Sequence, residues 1–166
     1  MTAAGVELRP LRPEDYDFLI TRINHWWGGR NMVPGLPRLF FDHFAGTSLA
    51  AETGEGRIVA FLVGFISPYK KDEAYIHYAA VDPEYHGRGL GRRIYQAFFQ
   101  IALDHGRTVV RCQTSPVNRN SIAFHQRMGF ALVDSPDRED GIPVHHNSNG
   151  PGDDKVLFCK TLTLYS

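Results

Sequence analysis

The chain has 166 residues, of which 43% are apolar and 22% charged, and its 18 basic side chains balance 18 acidic ones. That length suits one domain spanning residues 1–166 with a proper buried core, and the neutral balance excludes a field suited to nucleic acid or an anionic membrane. Two cysteines, Cys112 and Cys159, are too few for a disulfide scaffold and point to a reducing, cytoplasmic setting.

No basic patch followed by an apolar run opens the chain, so no secretory leader is expected. Its longest apolar run, residues 58–66, is too short to span a bilayer and reads as a buried strand. No repeat or low-complexity tract is present.

In chain order, residues 6–9 form a first strand. Arg12-Pro13-Glu14-Asp15 opens a helix, with proline suited to the first helical position and two acids in the first turn. That helix carries Phe18, Leu19 and Ile23 inward and ends near Trp27, where Gly28-Gly29 breaks it. A second short helix runs from Leu36-Pro37-Arg38 to Phe44. Between them, Trp26-Trp27-Gly28-Gly29-Arg30 is unusual for a connector. It reads either as a pocket wall, with Arg30 available to a substrate carboxylate or phosphate, or as one core tryptophan and one covering the sheet edge.

Residues 48–52 and 57–67 flank a glycine-containing turn and read as an antiparallel hairpin. Residues 58–66 are apolar throughout, interrupted only by Gly64, as expected of a strand covered on both faces. Residues 73–81 form the next strand. Strict alternation puts Tyr75, His77, Ala79 and Val81 on one face and Ile76, Tyr78 and Ala80 on the other.

That strand runs into Val81-Asp82-Pro83-Glu84-Tyr85-His86-Gly87-Arg88-Gly89-Leu90-Gly91. Leu90, Ile94, Ala97, Phe98, Ile101 and Ala102 then recur at helical spacing, up to His105-Gly106. Strand, glycine-rich turn and helix together present bare N–H groups at the positive end of a helix dipole, which is an anion site suited to a phosphate or pyrophosphate. The glycine spacing is not that of a dinucleotide turn, and no Gly-Lys-Ser/Thr follows to make a nucleoside triphosphate loop.

Residues 108–114 form another strand. Next comes Asn118-Arg119-Asn120-Ser121-Ile122-Ala123-Phe124-His125-Gln126-Arg127-Met128-Gly129-Phe130. Residues 130–134 and 155–162 are the last strands. Residues 135–154, polar and rich in Asp, Gly, Pro and Asn, read as a mobile loop holding His145-His146. Adjacent histidines with no spaced partner pair do not make a metal site, so no metal is expected.

Val-x-Pro-x-x-x-Gly-x-Gly-x-Gly after a strand, followed by Asn118, Ser121, Phe124, Gly129 and Phe130 at their spacing, resembles the GNAT (GCN5-related) N-acetyltransferases over nearly the whole chain. The resemblance implies a mixed α/β fold: a mostly antiparallel, splayed sheet of about seven strands with helices on both faces. It implies acetyl-CoA as co-substrate and direct attack by a primary amine in a ternary complex. In that family the residues matching His86, Gly87, Arg88, Gly89, Leu90, Gly91 and Arg92 hold the pyrophosphate. The backbone at Ala80 and Val81 pairs with the pantetheine arm, beside a bulge, and Asn118, Ser121 and Phe124 lie along CoA.

Two positions depart from the pattern. His86 replaces the usual Arg or Gln. His125 replaces the tyrosine that protonates the leaving thiolate, and a histidine N–H is able to do the same work. The base is Glu73, His77 or a water between them, a choice the residues leave open. Trp26, Trp27 and Arg30 fall where the family shapes its acceptor pocket. The expected acceptor is a small-molecule amine, and a homodimer is common in the family. The alternatives are a CoA-binding regulatory module without turnover, a protein N-terminal or lysine acetyltransferase, and an enzyme taking a larger acyl group.

Overall fold

The computed structural model describes residues 5–163. Its nine strands are β1 (Val6–Pro10), β2 (Leu49–Thr53), β3 (Ile58–Ile66), β4 (Glu73–Val81), β5 (Val109–Thr114), β6 (Ala131–Leu132), β7 (Arg138–Glu139), β8 (Ile142–Pro143) and β9 (Val156–Thr161). Its helices are α1 (Asp15–Ile20), α2 (Ile23–Trp26), α3 (Leu39–His43), α4 (Leu90–Asp104) and α5 (Arg119–Arg127). Seven strands form one sheet in the order β1-β2-β3-β4-β5-β9-β6, and β7 and β8 form a separate small hairpin. Every pairing in the large sheet is antiparallel except β4 with β5. The mixed, mostly antiparallel sheet is as expected.

β3 is the spine. Its side chains from Ile58 to Val63 are all buried, which explains an apolar run with no polar alternation. They feed two cores. Ile58, Phe61 and Val63 pack with Leu19, Ile23, Trp26, Leu36 and Phe41 from the α1–α3 region. Val59, Ala60 and Leu62 pack with Leu90, Ile94, Phe98 and Ala102 of α4, Ile122 of α5 and Phe158 of β9. Gly64 lets α4 approach closely, since a Cβ there would lie 2.3 Å from the Phe98 ring.

The helix expected to run unbroken to Trp27 is two pieces. Both Thr21 Oγ1 and Arg22 Nη1 donate to the Phe18 carbonyl, at 2.9 and 3.0 Å. The Arg22 N–H bonds only three residues back, to Leu19, at 2.9 Å. Local side-chain bonds tighten the turn and end α1 there. The following segment begins with a single 3₁₀ turn, Val33–Gly35, and α3 starts later than the sequence suggests.

Residues 135–154, expected to be a mobile loop, are tied down. The Ser135 hydroxyl donates to the Val144 carbonyl at 2.7 Å, and His145 Nε2–H to the Val133 carbonyl at 3.1 Å. His145 also bridges to Lys155, and Arg119 pairs with Asp140 at 2.9 Å, fastening the β7–β8 hairpin to α5. His146 pairs with Asp154 at 2.9 Å. The described residues contain no cluster of three or more ligands suited to a metal, and no helix long and apolar enough to cross a membrane. Both cysteines are free thiols.

Two irregularities decide where the site lies. β4 pairs with β5 only over Glu73↔Val109, Ala74↔Val110 and Tyr75↔Arg111, after which the strands part. On its other edge β4 carries a bulge: Val63 faces Tyr78 and Gly64 faces Ile76, leaving His77 as the extra residue.

Candidate active site

The gap between the parted strands is a cleft of about 900 Å³, within the usual size of a small-molecule site. Because β4 and β5 are parallel, both deliver their following segments to the same end of it. β4 leads into the glycine turn and α4, and β5 leads to Asn118 and α5.

The glycine turn is built by Asp82. This side chain, 3% exposed, accepts from the Glu84 N–H at 3.0 Å and from Arg57 Nη2 at 2.6 Å. Gly87 and Gly89 then take left-handed backbone angles, φ 74° and 77°, which side-chain-bearing residues rarely adopt. α4 starts at Gly89 without a side-chain cap. Among the described residues, the amides from 87 to 92 find no protein acceptor. Six bare donors at the positive end of a fifteen-residue helix are a ready anion cradle. Arg92 lines the cleft beside them. Arg88 does not: it folds back over Tyr85, 4.5 Å from the ring centroid, and donates to the Glu84 carbonyl at 3.2 Å. The anion reading at residue 88 therefore rests on its backbone, not on its guanidinium.

The open edge of β4 supplies the next segment. Asp82 N–H donates to the Val59 carbonyl at 2.8 Å, so Asp82 faces β3. Antiparallel alternation then turns the backbone groups of Ala80 toward β3 and those of Val81 and Ala79 toward the cleft. This corrects the expected pair: Ala80 lines the cleft but bonds the other way, and Ala79 takes its place. The Val81 carbonyl accepts from His86 Nε2–H at 3.0 Å, leaving the Val81 N–H toward the cleft. His86 thus braces the strand's end.

The bulge also corrects the expected faces. Ala74, Ile76, Ala79 and Val81 share the α4 side, whereas Tyr78 and Ala80 pack with the α1–α3 core. His77 stacks between Tyr78, at 4.6 Å, and Phe40, at 4.0 Å. Its Nε2–H donates to the Gly35 carbonyl at 2.6 Å. That bond fixes the tautomer and leaves Nδ1 as a lone-pair nitrogen without a partner among the described residues. Burial lowers the His77 pKa, the Gly35 bond opposing it less strongly, so the ring is neutral at neutral pH.

Glu73 is not brought to the cleft. It pairs with Arg111 at 2.9 Å where β4 and β5 still meet. Among the described residues, no Asp or Glu lines the cleft.

On the α5 side, Asn118 caps the helix, its oxygen accepting from the Ser121 N–H at 3.3 Å. Ser121, Phe124 and His125 line the cleft. His125 is 6% exposed and stacked on Phe158 at 4.5 Å. Its Nδ1–H donates to the Ser121 carbonyl at 2.7 Å, so Nε2 accepts the Tyr95 hydroxyl at 2.9 Å. Burial lowers the His125 pKa and raises that of Tyr95 well above its usual value. The ring is therefore neutral with both nitrogens engaged, one step removed from the direct acid role that the resemblance assigns it. Tyr95 was absent from the sequence reading; it lies off the helical stripe, and only the packing of α4 on α5 brings it to His125.

At the far end, Trp26 is core, 7% exposed and tilted against Phe61, though its edge reaches the cleft. Trp27 leans on Tyr78 at 6.1 Å. Arg30 stands exposed on the cleft wall. Residues 135–154 do not line the cleft.

The profile of the Acetyltransferase (GNAT) family matches residues 10–130. The chain belongs to that family. Among relatives, it is 33% identical over 113 residues to the L-2,4-diaminobutyric acid acetyltransferase of Nocardia farcinica, covering 65% of this chain and 58% of that one. It is 29% identical over 140 residues to the mycothiol acetyltransferase of Rhodococcus opacus, covering 76% and 46%. The chain thus spans about half the length of these relatives. The fold matches the crystal structure of Ard1 from Thermoplasma volcanium with a TM-score of 0.76 at 18% identity, over 96% of this chain and 99% of that one. In GNAT terms the glycine turn, the splay after β4 and the Asn118 helix stand where the sequence resemblance put them.

Proposed function

We propose that the protein transfers an acetyl group from acetyl-CoA to a primary amine of a small molecule, by direct attack in a ternary complex. One observation carries this reading: a single cleft joins the unpartnered amides of residues 87–92, the open edge of β4 and the free nitrogen of His77. Family membership and the diaminobutyrate and mycothiol acetyltransferase relatives support it.

The donor is held by the chain's own groups in order. The amides of residues 87–92, with Arg92, take the diphosphate. The open N–H of Val81 and carbonyl of Ala79 pair with the pantetheine arm, and Asn118 and Phe124 flank it. The Ala79 N–H, nearer His77 along β4, polarises the thioester carbonyl. His77 Nδ1 accepts a proton from the acceptor's ammonium, and the neutral nitrogen attacks the carbonyl carbon. A C–N bond forms, the C–S bond breaks, CoA leaves as thiolate, and the second proton shed by the new amide nitrogen passes to that thiolate through solvent. Tyr95 gives its one O–H to His125 and so has no donor left for the thiolate. A phenol held well above pKa 10 is a poor acid toward a thiolate, whose conjugate thiol ordinarily titrates near ~8.5.

The test is thiol release from acetyl-CoA over a panel of small amines, with mass spectrometry of the product. Acetylated amine formed in step with free thiol is the expected result. Thiol released at the same rate with and without amine would overturn the reading.

A further inference from the structure

Among the described residues, the charged side chains lining the cleft are Arg30, Arg92 and Arg127, all basic, with no carboxylate beside them. Arg92 belongs to the first turn of α4, at the phosphate end, and Arg127 to the last residue of α5. Arg30 stands apart, on the wall with Trp27, Gly28 and His77. Its guanidinium makes no hydrogen bond or ion pair with any described residue. The neighbouring indole Nε1–H of Trp27 is buried without an acceptor among the described residues.

We propose that the acceptor carries a carboxylate on the same molecule as its reacting amine, and that Arg30 receives that carboxylate. The inference rests on the acetyl-transfer reading above and narrows its substrate class. An amine enters as an ammonium. A polyamine or aminoglycoside brings several positive charges into a cleft with no negative side chain to meet them, and like charges in a partly desolvated site repel strongly. An amino acid or related zwitterion brings its own anion. A lone guanidinium presents a planar fork of donors that matches one carboxylate bidentately. A phosphate dianion normally recruits a helix start or several cations, and the helix start of this cleft lies at its other end.

The experiment compares matched amines that differ only in the carboxylate: L-2,4-diaminobutyrate against 1,3-diaminopropane, and an α-amino acid against its decarboxylated amine. Thiol release at saturating acetyl-CoA gives kcat and KM for each. The carboxylated member should show kcat/KM higher by about tenfold or more. Arg30→Gln should lower that value by roughly ten- to hundredfold, mainly through KM, and narrow the gap within each pair. Arg30→Lys should recover part of it, and the melting shift given by acetyl-CoA should persist in both variants. Equal kcat/KM within pairs, or equal losses for both members in Arg30→Gln, overturns the carboxylate inference and leaves acetyl transfer standing. No thiol release with any amine, despite a melting shift with acetyl-CoA, overturns the transfer reading and this inference with it.

Discussion

His77 owes its place to one extra residue in β4. Without the bulge it would alternate with Tyr78 across the sheet; with it, the two rings stack on the same side, and the imidazole meets the Gly35 carbonyl. Glu73, four residues earlier, is spent on Arg111 at the point where the strands part. The two candidates for the base therefore make opposite predictions. His77→Gln should lose about 10²–10⁴ in kcat, the usual contribution of a general base, with acetyl-CoA binding retained. Glu73→Gln should stay near wild type in kcat and lose at most about 1 kcal/mol of stability, because its partner Arg111 is part-exposed. The pH dependence has a definite sign. A base works deprotonated, and burial pushes His77 below its usual 6.5, so kcat should be flat near neutrality and fall only as pH drops through the lowered value. A profile that shifts in Glu73→Gln, with His77→Gln unaffected, would reverse the assignment. The residue types were legible in the sequence, but the choice between them was not, since strict alternation carries no sign of a bulge.

The element that aims His77 is a short turn rather than a helix or strand. Asn24 Oδ1 accepts from the Met32 N–H at 2.7 Å and from the Val33 N–H at 3.3 Å. The turn so held offers the Met32 carbonyl to the Tyr78 hydroxyl at 3.1 Å and the Gly35 carbonyl to His77. Gly35 has no room for a side chain, because a Cβ would fall 2.0 Å from the Tyr78 oxygen. Asn24 is thus a positioning residue acting through the turn. Asn24→Ala should lower kcat and raise the apparent pKa of the acidic limb, as the ring loses its fixed tautomer and partial burial. Asn24→Asp, which keeps the accepting oxygen, should recover much of the loss. A fall in melting temperature with an unchanged pH profile would reduce Asn24 to a structural residue. The major elements were legible from periodicity and glycine punctuation: the buried run of β3 and the apolar stripe of α4. The break at Thr21 and the ordering of residues 135–154 depend on side-chain bonds to carbonyls distant in sequence or locally in competition with the helix, which periodicity does not register.

For the whole molecule, the splay is an unfinished sheet. Two layers of packing hold β1–β4 and β5, β9 and β6 together, yet only three residue pairs join β4 to β5. The backbone of Ala79 and Val81 has no strand to meet on its open side. An isolated edge of this kind exchanges its amide hydrogens quickly, and a ligand that pairs with it acts as the missing strand. Acetyl-CoA at a hundredfold its dissociation constant should stabilise the fold by about 2.7 kcal/mol, roughly 5–11 °C in melting temperature for a chain of this length. The location of the added protection is the sharper expectation. Hydrogen exchange should slow at the amides of Ala79 and Val81 and at residues 87–92, with little change at Ala80, which is already bonded to β3. Gly89→Glu, placing a carboxylate in the anion cradle, should abolish both the melting shift and the local protection, even though its own strained backbone lowers the starting temperature. Stabilisation spread evenly over the sheet, with no excess at Ala79 and Val81, would mean that the ligand binds elsewhere and that the open edge of β4 is only an edge.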